Sequence, residues 1–202
     1  IYNSGYHRTA TELAKRNMLR EMLLGGSLRY QAAGLSLGLT AYHSHYSKPI
    51  LPPENRYNHY YFRGSDNTVA GLDFAYRHKR LILYGEGSYS HNAYTDSLPG
   101  IPLAAIVGLQ LHLSANSSIS VSHRYHGAAY HNLHNAPIRQ STSAPDEQGT
   151  LITWSILLPA SIQLVATADF FRHRLPRYGT YSPSWGTEYR LRLTLHWDER
   201  LG

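Results

Sequence analysis

The stretch that decides the fold is EYRLRLTLHW, residues 188–197. Tyr189, Leu191, Leu193, Leu195 and Trp197 alternate with Glu188, Arg190, Arg192, Thr194 and His196. Strict alternation marks a strand with two unlike faces, because successive side chains point to opposite sides. In a soluble sandwich the leucines would face a core and the arginines water. In a membrane barrel the leucines would face lipid and the arginines the lumen. One strand does not choose between these, so the reading works outward from it.

The same alternation recurs along the chain. Leu35, Leu37, Leu39 and Ala41 alternate with Ser36, Gly38, Thr40 and Tyr42. Further runs start near Leu72, Leu81, Leu103, Ile119, Ile152 and Ile162. The connections between them alternate in length. Short turns fall at 31–34, 78–79, 115–118 and 158–161, and long connections at 47–68, 92–100, 127–148 and 174–185. Up-and-down order then gathers the short turns at one rim and the long loops at the other, an asymmetry typical of outer-membrane barrels. Residues 9–23, TATELAKRNMLREML, read as a helix with a Thr cap and Glu12 in the first turn, although Met18 to Leu24 also suit the start of a strand. Residues 1–7 read as one more strand. The expected fold is all-β, an antiparallel up-and-down transmembrane β-barrel of about ten strands with one short N-terminal helix. It forms a single domain over residues 1–202, expected to be the C-terminal part of a longer chain.

Composition narrows the function classes. The chain has 202 residues and a net charge of +6, mildly favourable to anionic partners but too weak to mark a nucleic-acid binder. It holds no cysteine, which excludes disulfides and thiolate metal sites. No apolar run is long enough for a membrane helix, but barrel strands need only about 9–11 residues. Its 17 tyrosines suit boundaries between wet and apolar surroundings.

If the leucine face meets lipid, the other face carries a lumen charge network: Asp73, Arg77, Glu86, Arg124, Asp169, Glu188, Arg190 and Arg192, with Gln110, His112, Gln163 and His196 beside them. Acids and bases balance, so an ion-paired interior is favoured over a narrow conduit with anion preference. Tyr42, Tyr46, Tyr89, Tyr125, Tyr130, Trp185, Tyr189 and Trp197 fall near strand ends and read as interfacial girdles. The loop YNHYYFRGSD (57–66) offers His59, Tyr60, Tyr61 and Arg63, and HNLH adds His131 and His134. These are candidate outer-loop binding residues, able to stack on sugars or bases, although folding of the loop onto itself is favoured. His43 and His45 share a face without a carboxylate pattern to complete a metal site. Ser122 and His123 point to opposite faces, and no nucleophile motif stands out. No catalytic role, cofactor or metal is expected.

Several segments carry a resemblance: SGYHRTATELAKRN (4–17), GGSLRY (25–30), NRYNHYYFRG (55–64), DEQGTL (146–151) and DFFRHRLPRYGTYSPSWGTEYRLRL (169–193). Together they resemble a family of Gram-negative outer-membrane β-barrel proteins, often fused to an N-terminal helix-hairpin-helix segment like that of DNA-uptake proteins. The resemblance implies outer-membrane localisation, lipid as a partner, and a periplasmic domain upstream in the same chain. The helix-hairpin-helix part is absent from these residues, so a DNA role carried by it does not transfer to them. The expected function is a membrane platform or narrow translocation pore linked to an anionic solute or DNA. A soluble or cell-surface β-sheet module that binds glycans is the alternative, and a barrel lipid hydrolase a third class.

Overall fold

A computed structural model describes residues 8–14, 18–55, 58–98, 100–134, 138, 146–176, 179–180 and 183–195. One short helix, α1 (Ala10–Ala14), precedes nine strands: β1 (Glu21–Ala32), β2 (Leu35–Ile50), β3 (Gly64–His78), β4 (Leu81–His91), β5 (Leu103–His112), β6 (Ser117–His126), β7 (Glu147–Leu158), β8 (Ile162–His173) and β9 (Ser184–Leu195). They form one antiparallel sheet in the order β1 to β9, each strand paired with the next in sequence. The structure is thus all-β and up-and-down, with β1 and β9 at the two ends of the strand order.

The helix is shorter than the 9–23 expected from its pattern. Its start is a capping box: Glu12 N donates to Thr9 Oγ1, and Thr9 N and Arg8 N donate to Glu12 Oε2. From Glu21 onward the chain is strand, because Glu21 to Ala32 pair residue for residue with Tyr46 to Leu35. Tertiary pairing overrides the local helix signal there. The further strand expected over residues 1–7 lies outside the described residues, as do His196 and Trp197.

Connections alternate as the sequence indicated. Residues 33–34, 79–80, 113–116 and 159–161 make the short turns; residues 51–63, 92–102, 127–146 and 174–183 make the long connections. The first turn requires positive φ at both positions, 46° at Ala33 and 83° at Gly34, the type I′ geometry that matches strand twist.

The sheet is curled. Pro176, from the connection after β8, lines one cavity with Glu54, Asn55, His59 and Tyr60, from the connection after β2. The connection after β6 also reaches β1, where His134 Nε2 lies 2.6 Å from Glu21 Oε1. The concave face is the polar one. Ser44, Asn67, Ser88, Ser90, Arg124, His126, Glu147, Asp169 and His173 are buried there, with Tyr46 and Val69 among the few buried apolar residues. The convex face is apolar and open: Leu28 is 71% exposed, Leu72 65% and Leu191 72%. No second layer covers Leu109 or Leu193 among the described residues.

The apolar belt on the convex face runs obliquely to the strands. The lateral row through Leu39 passes Leu72, Gly87, Ala105, Tyr125, Gln148 and Arg172 to Trp185. The row through Leu37 passes Phe74, Gly85, Val107, His123, Thr150 and Phe170 to Thr187. Rows that lie in the middle of the belt on β2 have therefore left it by β9, whose apolar run is Tyr189 to Leu195. The slip is about six residues, roughly 20 Å at ~3.4 Å each, across seven strand spacings of ~4.8 Å. That is an inclination of about 30°, close to the ~35–45° strand tilt of closed barrels. Along β4 the apolar convex positions run from Leu81 to Tyr89, and along β8 from Ile162 to Phe170. Each run is roughly 25 Å tall once inclined, the height of the apolar band on membrane barrels.

Candidate functional site

All eight residues of the expected charge network share the concave face. Asp73 is the register partner of Glu86, and Asp169 of Glu188. Arg77 pairs with Ile82, Arg124 with Gly149, Arg190 with Thr167 and Arg192 with Val165. They divide into local groups rather than one network.

The tightest group centres on Arg124, whose side chain is 3% exposed. Its Nε donates to Glu147 Oε1 at 2.6 Å, and Nη1 and Nη2 donate to the two oxygens of Asp169 at 2.8 and 3.0 Å. The bidentate fork satisfies a planar cation in a setting where an unpaired charge would be costly. Gly149 makes it possible: a Cβ there would sit 2.7 Å from Arg124 Cζ, so the guanidinium lies flat across β7 on its way to β8. His173 Nδ1 donates to Asp146 O at 2.7 Å, and its Nε2 lies 3.8 Å from Glu147 Oε2. Arg174 closes the far side on Asp146 at 2.9 Å. A second group uses the same device. Asp73 lies across Gly38, where any Cβ would collide with its carboxylate, to meet Arg29 Nη2 at 3.2 Å. Arg190 pairs with Glu188 at 2.6 Å, while Arg192 stays exposed. Arg124, Leu151, Thr167, Asp169, Glu188 and Arg190, with Ile138 from the connection after β6, line a cavity of 230 Å³.

The long-loop end is filled from within. From Gly127 the chain folds over the concave face of β2 to β4. Tyr130 Oη donates to Ser88 Oγ, His131 N to Ser90 Oγ, Asn67 Nδ2 to His131 O, and Tyr42 Oη to Asn132 Oδ1. His131 is the centre of this seat. Asn92 Oδ1 is taken by the backbone N–H groups of Tyr94 and Thr95, so its Nδ2 faces His131 Nδ1 at 3.2 Å and must donate. His131 Nε2 then carries the proton and donates to Tyr60 O at 2.8 Å. Burial pushes the His131 ring below its usual value, and the bond to Tyr60 only partly opposes this.

The expected binding loop folds onto itself. Asn58 caps Asn55 and bonds Pro53 O, Arg63 Nη1 donates to Pro52 O, and Phe62 packs on Tyr46 and His131. His59, Tyr60, Tyr94 and Arg63 do converge: His59 stacks edge-on against Tyr60 and Tyr94, and Arg63 lies over the Tyr94 ring. Tyr61 donates its backbone N–H to Asn58 O. His134 goes elsewhere, to Glu21, Ser44 and the edge of Tyr42.

Three of the expected girdle tyrosines face inward instead. Tyr42 and Tyr46 have the parity of the concave face, Tyr46 is 2% exposed, and Tyr130 sits in the folded-in connection. Tyr89, Tyr125, Trp185 and Tyr189 are convex. Glu21, Arg29, Asp146, Glu147 and His173 were not singled out from the sequence. Arg29 could have been found, since it alternates with Leu28 and Tyr30. Glu147 looked like loop, and Glu21 like helix.

His43 and His45 do gain a carboxylate across the strand pair: Asp66 Oδ1 lies 2.7 Å from His45 Nδ1 and 3.4 Å from His43 Nε2. Among the described residues, however, no group of three potential ligands has the geometry to hold a metal ion. No described helix is long and apolar enough to cross a membrane, which says nothing of strands. No family model, curated protein or solved structure matches this chain.

Proposed function

We propose that this chain is the wall of an outer-membrane β-barrel of a Gram-negative bacterium and that it serves as a closed, non-catalytic platform. The observation that carries the membrane half is the oblique apolar belt. Its height and inclination fit a hydrocarbon layer crossed by tilted strands. A sheet packed on a protein layer has no need for an apolar zone that slips steadily across its strands. Among the described residues β1 and β9 have no second neighbouring strand, which adds to this, since exposed backbone groups in hydrocarbon must be satisfied by ring closure.

Parity constrains that closure. β1 and β9 are both odd-numbered strands of an up-and-down sheet and run in the same direction. A ring that is antiparallel throughout needs an odd number of further strands between them.

The platform half rests on the concave side. Arg124 is held by two carboxylates, and the 127–134 segment crosses the polar face on buried hydrogen bonds. Charges committed to each other attract a passing anion poorly, which argues against an open anion or DNA conduit. The long-loop rim, including His59, Tyr60 and Arg63, is the surface such a platform presents.

The test is refolding. The protein should gain β structure and heat-modifiable gel mobility in detergent or lipid vesicles and aggregate in plain buffer. A monodisperse, folded protein in buffer overturns the membrane reading. In planar bilayers the inserted protein should show no steady conductance, and a stable open level overturns the platform.

A further inference from the structure

The lateral row that starts at Leu39 has left the apolar belt on the β6–β9 side of the convex face, where it consists of Tyr125 on β6, Gln148 on β7, Arg172 on β8 and Trp185 on β9. We infer that this row is a binding site for the phosphate headgroup of an anionic membrane lipid. The inference rests on the membrane reading above and adds a site to it.

Arg172 is the centre. Its Nε and Nη2 both donate to Gln148 Oε1, and that amide is its polar partner among the described residues. Gln148 is fixed in turn. With Oε1 occupied, its Nε2 donates to His123 Nε2 at 3.3 Å, and His123 Nδ1 donates to Thr150 Oγ1 at 2.9 Å. A directional chain from Arg172 to Thr150 thus holds a permanent cation in place without neutralising it. The guanidinium keeps donors for a phosphate oxygen, and a fixed fork loses little freedom on binding one.

The neighbours suit a headgroup. Trp185, 81% exposed, is the register partner of Arg172, which stands one convex position beyond Phe170, where the apolar run of β8 ends. An indole there can lie among acyl carbonyls with its N–H toward the headgroups. On the other side Arg174 lies over the Tyr125 ring at 5.7 Å, but its charge is spent on Asp146. The rim at β2 to β4 differs in kind. There the convex polar residues include His43, His45, Thr68 and His91, and both His43 and His45 are tied to Asp66. On the β6–β9 side Arg172 is a cation that stays charged at all pH, and among the described residues its side chain is held by an amide rather than a carboxylate.

The test uses tryptophan quenching. Trp154→Phe and Trp197→Phe leave Trp185 as the reporter. The protein is reconstituted in phosphatidylcholine vesicles with equal small fractions of brominated phosphatidylglycerol or brominated phosphatidylcholine. One interfacial arginine favours an anionic lipid by about fivefold, so the phosphatidylglycerol probe should quench as if enriched about fivefold beside Trp185. Arg172→Gln should abolish the preference, whereas Lys48→Gln, remote from the row, should leave it intact. Equal quenching by the two probes overturns the site and leaves the membrane reading standing. A preference lost equally in Lys48→Gln also overturns it, because bulk charge would then be the cause. Absence of quenching by either probe removes both readings, since Trp185 would not lie at lipid.

Discussion

Arg124 is the residue on which the concave face depends most. Glu147 and Asp169 are buried beside it, and replacing it with glutamine leaves two carboxylates without their cation. Breaking one side of a buried pair costs about 3–5 kcal/mol. Arg124→Gln should therefore lower the unfolding free energy in urea by about that amount, measured in lipid vesicles. An effect under about 1 kcal/mol would mean that the cluster is solvated. His131 gives a pH signature. Its folded pKa is depressed by burial, so the unfolded chain takes up the proton first. The seat is then fully stable above the unfolded value near 6.5 and weakens as pH falls through it toward the lower folded value. Hydrogen-exchange protection of residues 127–132 should drop between pH 7 and pH 5, roughly the range over which free histidine titrates, and His131→Asn should flatten that dependence.

Among the strands, the belt makes a prediction that lateral alignment alone would not. Leu72 on β3 and Gln148 on β7 lie in the same row, yet only Leu72 lies inside the apolar belt. Leu72→Lys should cost about 2–4 kcal/mol, as a charge near the bilayer midplane does, and Gln148→Lys under about 1 kcal/mol. Equal costs in vesicle unfolding would mean that the belt follows the rows and that the inclination is an accident of composition. Glycine does its work at this scale too. Gly38 and Gly149 each let a charged side chain cross one strand to reach the next. Alanine at Gly149 should displace Arg124 and destabilise the protein through the same cluster.

For the molecule as a whole, parity is the constraint that reaches furthest. The chain has no cysteine, so introduced pairs report without background. If the sheet closes into the proposed antiparallel ring, cysteines placed along β1 and β9 should form no direct disulfide, because at least one strand then lies between them and the separation is roughly 10 Å. A bis-thiol linker of that length should bridge them within one chain. Efficient direct disulfides would demonstrate a parallel seam between β1 and β9.

The alternation of Leu and Arg at 189–195, and of short and long connections, determined the strands, their up-and-down order and the two faces. These follow from period-2 geometry, which is local, so they were legible. Asp73, Arg77, Glu86, Arg124, Asp169, Glu188, Arg190 and Arg192 fell on one face for the same reason. Which of them meet was not legible, because partners are fixed by register between strands far apart in sequence. Glu147 could be given to Arg124 only once β7 was known to begin there, whereas the inward side of Tyr42 and Tyr46 follows from strand parity, and what the fold added is the Asn132 partner of Tyr42. The slope of the belt is likewise a property of eight registers taken together. No single strand contains it, since a strand specifies which side its leucines face but not how high its neighbour's leucines stand.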